Sequence, residues 1–175
     1  MITTHSNKRA LAARGTYLLA LSALAAGCGP AAKSPADQAA FTERTRCGPE
    51  VAESALAPVL EQKTGLLVAP LYSTIEADKS GAQSQLRGAL LTIGALPGVT
   101  AEWLDRQLEC HSARAELGRI PASEDPFWLP GATVDIDVRP ARDGFVIAVA
   151  GYSPSDARLI LDRARAFAKA NAAQR

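Results

Sequence analysis

The stretch "ATVDIDVRPARDGFVIAVAGYSPSDARLILDRARAF", residues 132–167, decides the fold. Its first eight residues alternate: Val134, Ile136 and Val138 point one way, Asp135, Asp137 and Arg139 the other. That period of two is a strand with one face buried. "PARDG" (140–144) is rich in turn formers and closes a hairpin. "FVIAVAGY" (145–152) returns apolar on both faces, as a central strand does. "SPSD" (153–156) then opens a helix: Ser153 as cap, Pro154 in the first turn, Asp156 at the capping-box position. Ala157, Ile160, Leu161, Ala164 and Phe167 follow on one stripe, with Arg158, Asp162, Arg165 and Lys169 elsewhere.

Working outward towards the N-terminus, "LRGALLTIGAL" (86–96) places Ala89, Leu91, Ile93 and Ala95 on one face and reads as another strand. Pro97-Gly98 turns the chain, and Thr100 caps a helix expected over 101–117 that stops at Gly118. A loop containing "SEDPFWLPG" (123–131) leads to the hairpin. Upstream, "GLLVAPLYS" (65–73) is a candidate edge strand, because Pro70 lacks a ladder donor. "TIEADKSGAQSQ" (74–85) reads as a polar loop. "CGPEVAESALA" (47–57) reads as a short helix opened by Pro49 and stopped by Pro58.

The fold class expected is therefore α+β: a small antiparallel-rich sheet with two main helices on one face, plus a short N-terminal helix. The order from residue 86 is β-α-β-β-α, ferredoxin-like but lacking its final strand. Segment 65–73 is the candidate for a fourth strand.

The N-terminus is of another kind. Lys8, Arg9 and Arg14 precede "TYLLALSALAA" (16–26), a run without charge. Its 11 residues fall short of the roughly 20 a helix needs to span a bilayer. A basic start, a short apolar run and small residues at its end form an export signal. "LAAGC" (24–28) resembles the lipobox of bacterial lipoproteins. In that family the signal is cut before an invariant cysteine, which carries diacylglycerol and whose new amino group is usually acylated. The resemblance implies a cut after Gly27 and lipidation of Cys28. Ala25 stands where Leu is usual, with Leu24 one step back. Two or more acyl chains anchor a protein stably where one does not, so the implied partner is the lipid bilayer. Gly29, in place of an Asp that favours inner-membrane retention in enteric bacteria, favours the outer membrane. The domain organisation expected is signal 1–27, lipidated tether 28–45 and one α+β domain 46–173. Residues 29–45 carry no apolar period and read as the tether.

Removal of residues 1–27 takes three basic and no acidic residues, leaving 16 Lys+Arg against 18 Asp+Glu, a net charge of −2. No clustered basic face marks a nucleic-acid partner. Of the cysteines, Cys28 is used by lipidation, and Cys47 and Cys110 form an even pair in an oxidising compartment, expected as a disulfide.

The candidate site residues lie around "LECHSARAELG" (108–118). On a helical wheel His111 falls with Leu104, Leu108 and Ala115 on the apolar stripe, while Asp105, Glu109 and Glu116 take the solvent side. Adjacent residues point apart, so Cys110 and His111 cannot share a metal or act as a Cys–His pair. His111, the only histidine left after the signal, is either a hydrogen-bonded core residue or a ligand group in a pocket. Asp135 and Asp137, at i and i+2, suit a hard cation or acid–base work, or an ordinary solvated face beside Arg139. Phe127 and Trp128 either rim a binding site or tuck over the sheet edge.

There is no Gly-rich phosphate loop, no G-x-S-x-G and no C-x-x-C, so no enzyme, cofactor or metal is expected. The last 90 residues or so loosely resemble uncharacterised exported lipoproteins with a "GVTAEWL…ECH…A" helix and a "DGF-V-V" hairpin, which implies no activity. The function expected is a membrane-anchored, non-catalytic binding or structural module of the cell envelope, with an envelope protein as partner. The alternative is a small-ligand or metal-binding lipoprotein using His111.

Overall fold

The computed structural model describes residues 33–61, 66–77, 81–121 and 124–173; the expected signal, with Gly27 and Cys28, lies outside them. The described chain is α+β: four strands form one antiparallel sheet and helices pack on it. The strands are β1 (Leu67–Ala77), β2 (Gly81–Gly94), β3 (Val134–Ala141) and β4 (Gly144–Gly151), in the spatial order β1-β2-β4-β3. β4, apolar on both faces, is an inner strand, and Arg142 and Asp143 turn the chain between β3 and β4. The strand missing from the C-terminal end of the ferredoxin-like order is made good from the other end. β1 pairs along β2 on the side away from β4, with Pro70 on the resulting edge strand.

The inner face of the sheet carries Ala89, Leu91, Ile93, Ile136, Val138, Phe145, Ile147 and Val149, all buried in one apolar cluster. Two helices cover it. α3 (Ala101–Glu116) contributes Leu104 and Leu108; α4 (Pro154–Ala173) contributes Ile160, Leu161 and Ala164. Thr100 caps α3 by accepting from the Trp103 amide, and Ser153 caps α4 by accepting from the Asp156 amide. Gly118 takes a positive φ of 66° just past α3, where a side chain would be strained. At Gly88 and Gly144 strands approach so closely that a Cβ would lie 2.0 Å from the carbonyl oxygens of Val149 and Ile93, respectively.

Four local expectations are corrected. Residues 35–45 are not a tether: Pro35–Arg46 is a helix, α1, packed along α3. Its amphipathic signal is faint because only Ala39 is buried. Its start is strong, since Ser34 and Asp37 form a reciprocal capping box with Pro35 in the first turn. This is the same S-P-x-D signature that opens α4. Segment 47–57 is not a helix. It runs irregularly into a 3-10 turn, Glu53–Leu56, and one helical turn, α2 (Ala57–Leu60), whose first turn holds Pro58 instead of being stopped by it.

Residues 74–77 and 81–85 are not loop, because β1 and β2 extend through them and pair there. There β2 pairs only with β1, as β4 reaches it from Gly88 to Gly94 alone. Ala82, Gln83 and Ser84 are exposed, so no apolar alternation is required. Arg87 is the extra residue of a bulge, since Leu71 pairs with Gly88 but Tyr72 pairs with Leu86. Finally, Ala95 is exposed beyond the end of β2 and does not extend its buried face.

Candidate functional site

α3 organises the candidate residues, and the structure sends them to different places. Cys110 is fully buried and bridged to Cys47, with Cα atoms 5.6 Å apart. The bridge pins the end of α1 to the middle of α3. His111, the next residue, points away from it and is 3% exposed. Its Nδ1 lies 2.8 Å from Glu53 Oε2 and its Nε2 lies 3.0 Å from Asp125 Oδ2.

Two carboxylates can accept from both ring nitrogens at once only if both carry a proton. The arrangement therefore favours the imidazolium form. Burial alone pulls its pKa down, but the hydrogen bonds and charges of Asp125 and Glu53 outweigh burial and raise it above the ordinary histidine value. Arg114, one turn further along α3, donates to Val51 O at 2.7 Å and to Glu53 Oε1 at 3.3 Å. Asp125 Oδ1 accepts from the Phe127 amide at 2.8 Å, an Asx-type turn that shapes the loop. Asp125, His111, Glu53 and Arg114 thus balance two negative and two positive charges. None of the last three's partners was evident from sequence: Glu53 is 58 residues from His111.

Phe127 is 1% exposed and meets Phe167 of α4 edge-on, with centroids 6.2 Å apart. Trp128 is 8% exposed; its indole N–H donates to Glu116 Oε2 at 2.9 Å, which also accepts from the Gly131 amide. Arg163 of α4 donates to the Trp128 carbonyl. Both aromatic residues are thus tucked under the loop. The side of α3 expected to face solvent is covered by α1: Arg46 pairs with Asp105 at 3.4 Å and with Glu109. Burial raises the pKa of Asp105 and of Glu109, and Arg46 offsets this in part.

Trp128 and Asp135 line one cleft of about 120 Å³ between α1, α3 and the start of β3, with Thr42, Glu109, Ser112 and Glu116. That is room for a few waters at about 30 Å³ each, well below the roughly 300–1,000 Å³ of small-molecule sites. Asp137 lies on the same strand face as Asp135 and pairs with Arg139 at 2.6 Å. Among the described residues no group of three or more His, Cys, Asp or Glu side chains is arranged to hold a metal.

The sheet's second face is the other notable surface. The registers align Leu67, Thr92, Val146 and Arg139 in one row, Ala69, Leu90, Ala148 and Asp137 in the next, and Leu71, Gly88, Ala150 and Asp135 in a third. Leu67 is 68% exposed, and Leu90, Val146, Ala148 and Ala150 are only half-buried. The face is apolar across three strands and charged along β3.

No family model, curated protein or solved structure matches this chain. Among the described residues no helix is long and apolar enough to cross a membrane.

Proposed function

We propose that this protein is a lipid-anchored module of the bacterial cell envelope that docks a protein partner on the open face of its sheet. The export signal and the "LAAGC" lipobox support the anchor through acylated Cys28, outer membrane in preference to inner. The disulfide between Cys47 and Cys110 fits an oxidising compartment.

The observation that carries the interaction reading is the apolar second face. At strand spacings of about 4.8 Å and 3.3 Å per residue, three strands by six residues present roughly 300 Å². A contiguous apolar patch of that order on a monomer is often functional. Asp135 and Asp137 outnumber Arg139 along its β3 rim, so the partner carries apolar side chains with Lys or Arg opposite that rim. The alternative, ligand binding at His111, is the weaker reading, because both ring nitrogens are already held by carboxylates.

The test uses the full chain in a Gram-negative host fed an alkyne-tagged palmitate. The wild type takes up the label and Cys28→Ser does not; label on the variant refutes the anchor. A photo-crosslinking residue at position 90 or 146 gives a discrete adduct, one at position 166 on the outer side of α4 does not, and Asp135→Lys with Asp137→Lys abolishes it. Equal adducts from positions 90 and 166 refute the docking face.

A further inference from the structure

Segment 47–60 runs irregularly to Ala52 and then through two single helical turns, yet it is closely fixed. Val51, Leu56 and Val59 are buried. Four ties bind it to α3: on one side the disulfide from Cys47 to Cys110, the Val51 carbonyl to Arg114, and the Glu53 carboxylate to His111 and Arg114, and further round the helix Glu50 to Arg106 at 3.5 Å. The same side of α3 holds Gln107, three residues before Cys110 and four before His111. Gln107 is 1% exposed, and neither its amide nitrogen nor its amide oxygen has a hydrogen-bond partner. An amide buried with all its polar atoms unpaired opposes burial. The closed state is thus held in part by ties that depend on chemical conditions and in part by burial of Leu56 and Val59 in the core, and it carries a polar group that favours opening.

We propose that segment 47–60 is a strap that lifts from α3 when a dithiol reduces the Cys47–Cys110 bridge and His111 loses its proton, exposing Gln107 to solvent. In the redox step a thiolate of the dithiol attacks the half-buried Cys47 sulfur and displaces the Cys110 sulfur. The second thiol then resolves the mixed disulfide. The dithiol ends oxidised to a cyclic or paired disulfide, and its two electrons and two protons end on Cys47 and Cys110.

In the proton step a neutral imidazole keeps one N–H and gains one lone pair, so it can satisfy only one of its two carboxylates. Asp125, 2% exposed at its side chain and also accepting from Phe127 N–H, stays. Glu53, 31% exposed at its side chain, turns to water. The other charges facing this group are Arg114 on α3, which retains Glu53 and Val51 until the strap moves, and Arg163 on α4, bonded to the loop at Trp128. Neither step alone removes all the ties that depend on redox state or on His111.

Hydrogen exchange of the full chain, oxidised and dithiothreitol-reduced, at pH 6 and pH 9 with intrinsic rates corrected, tests this. Protection across 47–60 falls at least tenfold in the reduced protein at pH 9, while β2, β4 and α4 keep theirs. Unchanged protection overturns the proposal, and so does simultaneous loss across the sheet, which would make the strap an ordinary part of the core. Gln107→Leu provides a second arm. With no amide to expose, the reduced variant at pH 9 regains strap protection at least threefold over the reduced wild type; equal or lower protection overturns the proposal.

Discussion

The charged form of His111 is favoured in the middle of an otherwise apolar helix stripe because Glu53 and Asp125 close on it from two separate segments. Its pKa is raised in the folded protein. The stability it contributes is fully present below its unfolded value, about 6.5, and is lost as pH rises through the higher folded value. Urea unfolding followed from pH 6 upwards should therefore show stability declining on the alkaline side, with the decline flattened in His111→Gln. A pH-independent midpoint in the wild type would contradict the charged assignment. Removing the ring altogether leaves two carboxylates facing a cavity, so His111→Ala should cost about 3–5 kcal/mol at neutral pH. That His111 lies on the buried face was readable from its spacing with Leu104 and Leu108. Its partners were not, since nothing in a linear pattern relates positions 53, 111 and 125.

At the level of elements, caps proved more informative than amphipathicity. Thr100 and Ser153 mark the starts of α3 and α4 as their residue types require. Ser34 and Asp37 mark α1 in the same way, although its composition reads as tether. α1 buries little of its own surface and is held by ion pairs from Arg46 to Asp105 and Glu109, by Arg119 to Glu43, and by the disulfide at its end. Ser34→Ala should thus cost about 1 kcal/mol of local helix stability. Hydrogen exchange would show it as faster exchange confined to α1, with α3 and the sheet unaffected; no change in α1 would mean that packing on α3 suffices without the cap. The β1–β2 hairpin escaped pattern reading for a related reason. Beyond the bulge at Arg87 no third strand among the described residues lies beside it, and its exposed residues there need no alternation.

For the molecule as a whole, the division of labour between the two sheet faces is the main consequence of the architecture. The inner face is occupied by α3 and α4; the outer face carries apolar side chains in three aligned rows, and among the described residues no buried cluster lies over them. A charge placed on the outer face should be nearly neutral for folding. Val146→Lys should shift unfolding free energy within about ±0.5 kcal/mol, the range of ordinary surface changes. Ile147→Lys, one residue along on the inner face, should prevent folding. Circular dichroism melts of the two variants would separate them, and equal destabilisation would mean that the outer face is buried in the native state.

The sequence by itself determined the class, α+β with an antiparallel sheet under two helices, because strand alternation and helix caps are local signals that each element needs for its own burial. It also offered Cys47 and Cys110 as an even pair, which the structure joins in a disulfide. Only the tertiary structure decided that β1 completes the sheet beside β2, that α1 belongs to the domain, and that His111 is sandwiched by two acids. Each of those depends on contacts between residues far apart in the chain. Such contacts are chosen by which surfaces are left unburied once the local elements have formed, a competition that is settled in three dimensions and leaves no periodic trace in the sequence.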